Sequence, residues 1–477
     1  MISTMAIDKP VHLLVVIFVL CCFISNPVVG EEDGIRIGNA PQLFVDDYLI
    51  ASIENLQRVD HQAVKLNGGK PIFTGGRFYG TVLHDQGKFK MWWRHDDLSG
   101  YSYAESNDGI KFETKEKISG IRYAGDVNLA VEVDPNSPTT ASRYIAGYDA
   151  PGMAAGIAVS SDGIRWNALN NGKRVTHRAA DTYNQILWDP NARHYKLFTR
   201  TDFGSAGGNG EVRGHRVMTN PDLHDDPENW TLQREWIFDK QGASEIQRRQ
   251  IYALTDWMYH GQHFALMSVY EHIDDFSEGA QSRIARHDRD IMNVYLGTSR
   301  DGVNWDDRLV YQQHPLIPRG ERGSFDNGMV IPASSIVTHA NRHWIYYCGW
   351  NERHGNPQNQ RERDSAIGVA TMRLEGFRSL HAGAQEGLMK TRPFLVDGSQ
   401  MLLNLSAKKG KVEAELLDVQ GAPIPGFSGR QSVVLQGVDE VRAPVVWRTP
   451  LNELNGRPVV LRLRMKNSDV YAMRIVK

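Results

Sequence analysis

Short runs of apolar residues, separated by turn-forming residues, recur along the chain and predict β-hairpins. The clearest example is residues 181–202, in which one strand ends near Trp188, a turn follows over residues 189–193, and a second strand carries Tyr195 and Leu197. Asp, Pro and Asn in the turn, between runs rich in β-branched and aromatic residues, are typical of a hairpin. This segment therefore predicts an antiparallel strand pair.

The same strand–turn–strand plan recurs in residues 78–97, 126–149, 181–202, 248–271 and 326–352. Repetition at this spacing is typical of four-stranded propeller blades with their loops. No long amphipathic helical pattern is present. We therefore predict an all-β chain with a five-bladed β-propeller over residues 31–382.

A second repeated motif follows three of the hairpins, at residues 106–112, 160–166 and 299–305. Each copy reads Ser, any residue, Asp, Gly, and has an aromatic residue three positions after the Gly. Asp-Gly favours a tight turn, because Gly accepts positive φ and Asp bonds its own backbone. We interpret these motifs as structural corners of the blades rather than as sugar or metal sites.

The two ends of the chain have different patterns. From Gly383 onward, plain strands separated by Gly- and Pro-containing turns predict a C-terminal β-sandwich over residues 383–477. Residues 1–30 carry Lys9 and an apolar run over residues 11–24, which indicates a secretory signal peptide. A membrane anchor is the alternative, but the run is short for a bilayer span. We expect a secreted or periplasmic protein that does not associate with the membrane after signal cleavage.

Composition narrows the function classes. The net charge is −2, so no basic field argues for nucleic acid binding. Outside the signal segment the chain keeps only Cys348, which excludes an intramolecular disulfide. There is no HExxH or paired Cys/His pattern, so we expect no zinc site and no cofactor, while leaving open a structural or channel cation such as Ca²⁺. We expect a monomer.

Acidic residues occupy equivalent positions in the repeats. In a blade, the start of the first strand and the end of the second strand share one rim of the channel. Strand starts supply Asp126, Asp181 and Asp326, and strand ends supply a second set: Asp97, Asp149, Asp202, Glu271 and Glu352. Close carboxyl groups can separate into a proton donor and an ionised base, which is the equipment of glycoside hydrolysis. The alternative is that an Asp at a strand start only caps a turn.

We predict four catalytic residues, Asp126, Asp181, Asp326 and Glu271, with Glu271 as the proton donor. Aromatic, basic and acidic side chains near the strand ends are predicted to bind substrate by stacking on sugar faces or bonding to hydroxyls, carboxylates or sulfates. They are Trp92, Trp93, Arg94, Asp97, Asp149, Arg200, Asp202, Arg249, Trp257 and Trp350.

The hairpins, their acids and the C-terminal strands together resemble the five-bladed propeller glycoside hydrolases of the invertase-like and arabinanase-like families 32 and 43, over about residues 40–477. Residues 43–50 are also similar to secreted propeller proteins of environmental bacteria. Arabinanase-like enzymes use three catalytic acids from different blades. By position, the resemblance implies that Asp126, Asp181 and Glu271 fill these roles. The resemblance implies hydrolysis of a plant or algal oligo- or polysaccharide. The alternative is a propeller that binds carbohydrate, or acts as a scaffold, without catalysis.

Overall fold

The computed structural model describes residues 33–95, 100–122, 128–152, 154–176, 182–202, 212–242, 248–272, 290–354 and 365–477. This part of the chain is almost entirely β. Its α-helix, α1 (Arg308–Tyr311), is one turn long, and short 3₁₀ turns lie at Asn67–Gly69, Thr140–Ser142, Leu169–Gly172, Gly429–Gln431 and Leu451–Leu454. The all-β prediction is confirmed.

The strands of the first half are β1 (Ile35–Arg36), β2 (Gln42–Leu43), β3 (Ile50–Glu54), β4 (Gln57–Asp60), β5 (Val64–Lys65), β6 (Phe73–Thr74), β7 (Gly76–Asp85), β8 (Lys88–His95), β9 (Tyr101–Ser106), β10 (Glu113–Lys117), β11 (Leu129–Val133), β12 (Tyr144–Ala150), β13 (Ala154–Ser160), β14 (Asn167–Ala168), β15 (Gln185–Asp189), β16 (His194–Asp202), β17 (Arg213–Asn220) and β18 (Thr231–Trp236). Those of the second half are β19 (Gln250–Tyr259), β20 (Gln262–His272), β21 (Asp290–Ser299), β22 (Met329–Pro332), β23 (Val337–His339), β24 (Arg342–Trp350), β25 (Ser365–Arg373), β26 (Arg378–Ala382), β27 (Gly387–Thr391), β28 (Phe394–Leu395), β29 (Gln400–Ser406), β30 (Lys411–Leu417), β31 (Val433–Gln436), β32 (Asp439–Val445), β33 (Pro458–Lys466) and β34 (Ser468–Val476).

Consecutive antiparallel strands form the repeated sheets. Strands β7–β10, β11–β14 and β15–β18 each make one four-stranded sheet in chain order. The next two hairpin groups, β19–β21 and β22–β25, belong to one nine-stranded sheet, in which the parallel pair Met292–Met329 joins them. The predicted hairpins are present, whereas the division into five separate blades stays a prediction.

The repeated sheets close on themselves. The inner strand β7 packs against both β11 and β22, so the first sheet touches the second and the last. Tyr183 reinforces this closure. Its hydroxyl lies within hydrogen-bonding distance of the carbonyl oxygens of Gly80 on β7 (2.9 Å) and Pro332 on β22 (3.0 Å). The N-terminal strands β5 and β6 complete the last sheet by pairing with β25.

The Ser-x-Asp-Gly motifs are turns held by the same hydrogen bonds in each copy. In the second copy, Gly163 N–H donates to Ser160 Oγ (2.9 Å), and Ile164 N–H donates to Asp162 Oδ1 (2.8 Å). Gly163 has a φ of +78°, a conformation that favours glycine. The interpretation of these motifs as structural corners agrees with these contacts.

The C-terminal strands form two sheets over a common core. One contains β27, β28, β30, β31 and β33, and the other contains β26, β29, β32 and β34. Buried side chains from both, such as Leu403 and Leu461, belong to one hydrophobic cluster. The C-terminal β-sandwich stays a prediction.

The N-terminal segment lies elsewhere than its sequence pattern suggested. The predicted boundary assigned residues 31–382 to the propeller, but β1–β4 and β26 pair with strands of the two C-terminal sheets. Strand partners far apart in sequence leave no local signal, because the pattern of a strand records only which face is buried. The two sheets therefore draw on both ends of the chain.

Candidate functional site

Strand pairing brings the start of each inner strand and the end of the strand after it to the same end of the sheet. Gly76 pairs with His95, Leu129 with Tyr148, and Gln250 with Tyr270, so the start of each inner strand lies beside the end of the next. We call this end the near rim. It contains the described residues at the starts of β7, β11, β15, β19 and β22 and at the ends of β8, β12, β16, β20 and β24.

Glu271 is the best-defined predicted catalytic residue at the near rim. It lies near the end of β20 and is 6% exposed. Its Oε1 accepts a hydrogen bond from Arg249 Nε (2.6 Å), and its Oε2 accepts from Asn293 Nδ2 (2.5 Å) and the Tyr295 hydroxyl (2.8 Å). Burial and the Glu271 carboxylate raise the pKa of Tyr295, which keeps this phenol protonated as a donor.

A chain of polar contacts extends from Glu271 to a partly buried arginine, Arg319. Arg319 Nε donates to Asn293 Oδ1 (3.1 Å), and another Arg319 nitrogen donates to the carbonyl oxygen of Asn327. Burial lowers the pKa of Arg319, and the neighbouring Glu271 opposes this effect. Arg319, Asn293 and Tyr295 were not predicted from sequence. A single polar residue, Asn293, within the apolar stretch of β21 is the signal that could have found this site.

Asp326 has a different environment from Glu271. It is fully buried, and its Oδ2 lies 2.5 Å from Lys65 Nζ and 3.0 Å from the Tyr347 hydroxyl. Its Oδ1 accepts from Ser324 Oγ at 3.0 Å. Lys65 belongs to β5, so this ion pair ties the closing N-terminal strand to the last sheet. These contacts fit a structural role, and the predicted catalytic role of Asp326 remains without support from its geometry.

Tyrosines form the inner surface of the near rim. The hydroxyls of Tyr79 and Tyr252 lie 2.5 Å apart, and the ring of Tyr252 meets that of Tyr270 edge-on, with centroids 4.8 Å apart. The Arg213 guanidinium lies over the Tyr270 ring, 5.1 Å from its centroid. Burial raises the pKa of Tyr79 and Tyr270 well above its ordinary value, so both phenols are neutral.

Two of the tryptophans predicted to bind substrate are placed elsewhere. Trp92 is fully buried between the first two sheets, where its indole N–H donates to the Gly163 carbonyl oxygen (2.6 Å). Trp257 lies near the opposite end of β19, paired with Phe264 and stacked on Tyr259. Both departures have one cause: an aromatic residue on a blade strand packs between sheets as readily as it lines a channel.

The other predicted binding residues lie at the near rim or outside the described part of the chain. Arg249 contacts Glu271 directly. Trp93, Arg94, Asp149, Arg200 and Trp350 lie at strand ends and are 6%, 3%, 0%, 5% and 3% exposed, respectively. The residues that lie outside the described ranges are Asp97, Asp126 and Asp181, and only the backbone of Asp202 is described. Their predicted roles stay predictions.

A second polar cluster lies at the opposite end of the inner strands, beside a cavity of ≈380 Å³ that we call the far cavity. Glu132, Asp256, Trp188 and Trp257 are among the residues that line it. Gln185 Nε2 donates to Glu132 Oε1 (2.8 Å) and to the Asp256 carbonyl oxygen (2.7 Å). Burial raises the pKa of Glu132 to about 8. The charge of Asp256 also raises this pKa, whereas the hydrogen bond from Gln185 lowers it. The sequence analysis did not identify this cluster.

Among the described residues, no group of three or more His, Cys, Asp or Glu side chains is placed to hold a metal ion. The channel cation considered from the sequence is therefore neither located nor tested. In the same part of the chain, no helix has the length and apolar character needed to cross a membrane.

Comparison with known proteins returns likeness of architecture only. The chain matches no protein-family model and no curated protein. Among solved structures, a thermostable family-43 glycoside hydrolase is 12% identical, with 66% of this chain and 95% of that chain covered and a TM-score of 0.46. A Bombyx mori family-32 β-fructofuranosidase is 10% identical, with 88% and 94% covered and a TM-score of 0.38. An N-acetylgalactosamine deacetylase from F. plautii is 13% identical, with 68% and 97% covered and a TM-score of 0.39. These values do not transfer an activity or a site residue, so function has to be argued from the site.

Proposed function

We propose that this chain is a secreted glycoside hydrolase that cleaves a plant or algal oligo- or polysaccharide at the near rim. The observation that supports it most is Glu271, a nearly buried carboxylate that Arg249, Asn293 and Tyr295 hold in one orientation. A catalytic group needs this kind of fixed geometry, because small displacements of a reacting atom lower the rate steeply.

The proposed chemistry uses two carboxyl groups. Glu271 protonates the departing glycosidic oxygen, while Asp126 or Asp181 activates water or attacks the anomeric carbon. Both Glu271 oxygens accept hydrogen bonds, so proton delivery requires one donor to move aside. Arg249 is suited to this, because its side chain is 24% exposed while the Glu271 side chain is 7% exposed.

The described residues that follow Asp126 and Asp181 in the sequence lie close to one another. Asn184 Nδ2 donates to Asn128 Oδ1 (3.4 Å), so the segments that follow Asp126 and Asp181 come together. Asn128 and Thr182 are buried at 1% and 0% exposure. In the proposal, Asp126 or Asp181 acts together with Glu271, and Arg94 and Arg200 bind substrate hydroxyls or acidic groups.

The test is a screen of plant and algal glycans for released reducing ends, followed by Glu271→Gln, Asp126→Asn and Asp181→Asn on the responsive substrate. We expect Glu271→Gln and at least one aspartate variant to abolish turnover while the circular dichroism spectrum is retained. The matched control is Glu453→Gln, which changes an exposed residue in the 3₁₀ turn Leu451–Leu454. Full activity in all three rim variants would exclude this site.

A non-catalytic carbohydrate-binding or scaffold propeller is the second candidate. Two observations favour this second function. Protein groups already donate hydrogen bonds to both Glu271 oxygens, and Asp326 forms an ion pair with Lys65. Acids with such partners can stabilise the rim without taking part in a reaction. A glycan array separates the two functions. Tight binding of a glycan that is never cleaved, with binding retained in Glu271→Gln, supports the binding function.

A further inference from the structure

The far cavity has the size and the lining of a site for a small organic molecule. Its volume of ≈380 Å³ is within the range for such pockets. Most of the residues that line it are apolar, including Leu83, Val133, Leu187, Met258, Ile336 and Val337. It lies at the opposite end of β19 from Gln250, where that strand meets the near rim. The far cavity and the near rim are therefore separate sites.

Two hydrogen bonds to the backbone of Asp256 fix the orientation of the Gln185 amide. Its Oε1 accepts from the Asp256 N–H (2.6 Å), and its Nε2 donates to the Asp256 carbonyl oxygen (2.7 Å). The same Nε2 donates to Glu132 Oε1 (2.8 Å), whereas the Ser334 carbonyl oxygen lies farther away, at 3.2 Å. Because this nitrogen can only donate, Glu132 Oε1 is an acceptor. A proton on the Glu132 carboxyl group therefore resides on Oε2.

Glu132 Oε2 is the carboxyl oxygen that a molecule in the far cavity can reach. Glu132 lines the cavity and is partly exposed, while its Oε1 is bonded to the fully buried Gln185. The carboxyl group of Asp256 does not compete for the cavity, because it is buried and directed at His263 Nδ1 (2.6 Å). Burial raises the pKa of Glu132 to about 8, so Oε2 carries a proton at neutral pH. Among the described residues, Gln185 is the only hydrogen-bond partner of the Glu132 side chain, and this O–H has no acceptor there.

We propose that the far cavity binds an uncharged organic compound that has an apolar body and a carbonyl oxygen accepting a hydrogen bond from Glu132 Oε2. The apolar lining favours such a body because binding removes apolar surface from water. The carbonyl oxygen supplies the acceptor that the Glu132 O–H lacks. A carboxylate or an ammonium group would instead bring a charge into apolar surroundings, with no opposite charge beside it. The ligand class is therefore neutral esters, amides or ketones.

The affinity for such a compound should depend on pH through Glu132. The titratable groups around this carboxyl group are His84, which lines the same cavity, and Asp256, with His263, Asp189 and Lys196 behind it. Burial and His339 lower the pKa of His84, so it stays neutral where Glu132 titrates. Burial lowers the pKa of His263, but Asp256 and Asp189 outweigh it and raise the value to about 9. Affinity should therefore be constant below about pH 7 and fall as the pH rises past about 8, because Glu132 then loses the proton that it donates.

The experiment is isothermal titration calorimetry of the full chain, at about pH 6.5, with acetophenone, α-methylstyrene, benzoate and benzamidine. All four have a benzene ring with a planar substituent of similar size, which carries a carbonyl group, no polar group, a negative charge or a positive charge, respectively. We expect acetophenone to bind about fivefold more tightly than α-methylstyrene, because a hydrogen bond contributes a net ~1 kcal/mol, and more tightly than either ion. This advantage over α-methylstyrene should shrink at about pH 8.5. Tightest binding of benzoate or benzamidine at the lower pH, or no binding of acetophenone, would overturn the proposal.

Variants locate the binding and identify the donor. Glu132→Met removes the donor and should weaken acetophenone binding about fivefold, while α-methylstyrene binding is unchanged. Glu132→Gln keeps a donor, so it should retain acetophenone binding within about twofold but without pH dependence, and it serves if Glu132→Met unfolds. Met258→Trp, which fills the cavity without changing a charge, should abolish binding of both compounds, and Glu453→Gln should change neither. Equal weakening of both compounds by Glu132→Met, or a pH dependence that persists in Glu132→Gln, would overturn the proposal.

Discussion

The near rim holds a nearly buried glutamate, Glu271, and the far cavity holds a partly buried one, Glu132, and their surroundings differ. Around Glu271, three donors from Arg249, Asn293 and Tyr295 saturate the carboxylate. Around Glu132, one amide donor is shared with backbone carbonyls, and burial raises the pKa to about 8. The difference teaches that burial alone does not decide what an acid does. The number of donors around the carboxyl group also decides how firmly it is held in one orientation.

The largest expected effect separates the two ends by activity. Once a substrate is found, Glu271→Gln should lower kcat/KM about 10³-fold, because general acid catalysis contributes about 10²–10⁴-fold. Glu132→Gln should stay within about twofold of the original enzyme, because it lies at the other end of the inner strands. Initial rates of reducing-end release measure both. A larger loss in Glu132→Gln than in Glu271→Gln would move the reaction to the far cavity.

The second prediction concerns the acids of the near rim itself. Lys65→Met leaves the buried Asp326 carboxylate without its cation, which should lower the free energy of unfolding by about 3–5 kcal/mol. Urea unfolding at pH 7 measures this change. The control is Lys115→Met, because Lys115 pairs with a Glu113 side chain that is 79% exposed. Unchanged stability in Lys65→Met would remove the structural role assigned to Asp326.

The third prediction follows from the raised pKa of Glu132. The folded state holds this proton more tightly than the unfolded chain, where an ordinary Glu titrates near 4.5. Stability that is present below pH 4.5 is therefore lost as the pH rises to about 8. Glu132→Gln should remove this loss and be about 2–4 kcal/mol more stable than the original protein at pH 8.5, but nearly equal at pH 5. Thermal unfolding across this range measures it, and parallel curves for the two proteins would contradict it.

Local patterns predicted the hairpins well, whereas the site assignments stay predictions. The strand pair around Trp188 is present, although β15 begins at Gln185 rather than near residue 181. Glu271 was identified because it ends a predicted strand. Glu132, Gln185 and Asp256 were missed, because each is one polar residue within an apolar strand, and their contacts join different hairpins. Trp92 was predicted to bind a sugar, because the residues around it in the sequence do not show that a neighbouring sheet covers it.

The smallest expected effect tests how firmly the near rim holds its carboxylate. Tyr295→Phe removes one of the three donors to Glu271 and should lower stability by about 1 kcal/mol and kcat by about tenfold. Tyr103→Phe is the matched control, because Tyr103 makes the same kind of hydrogen bond to Glu105 (2.8 Å), whose side chain is 22% exposed. If the near rim is catalytic, loss of Tyr295 changes kcat more than KM, since the misplaced carboxylate acts in the transition state. If the near rim only binds glycan, both Tyr variants should change glycan affinity little. In that case only the raised pKa of Glu132 distinguishes the far cavity from the near rim.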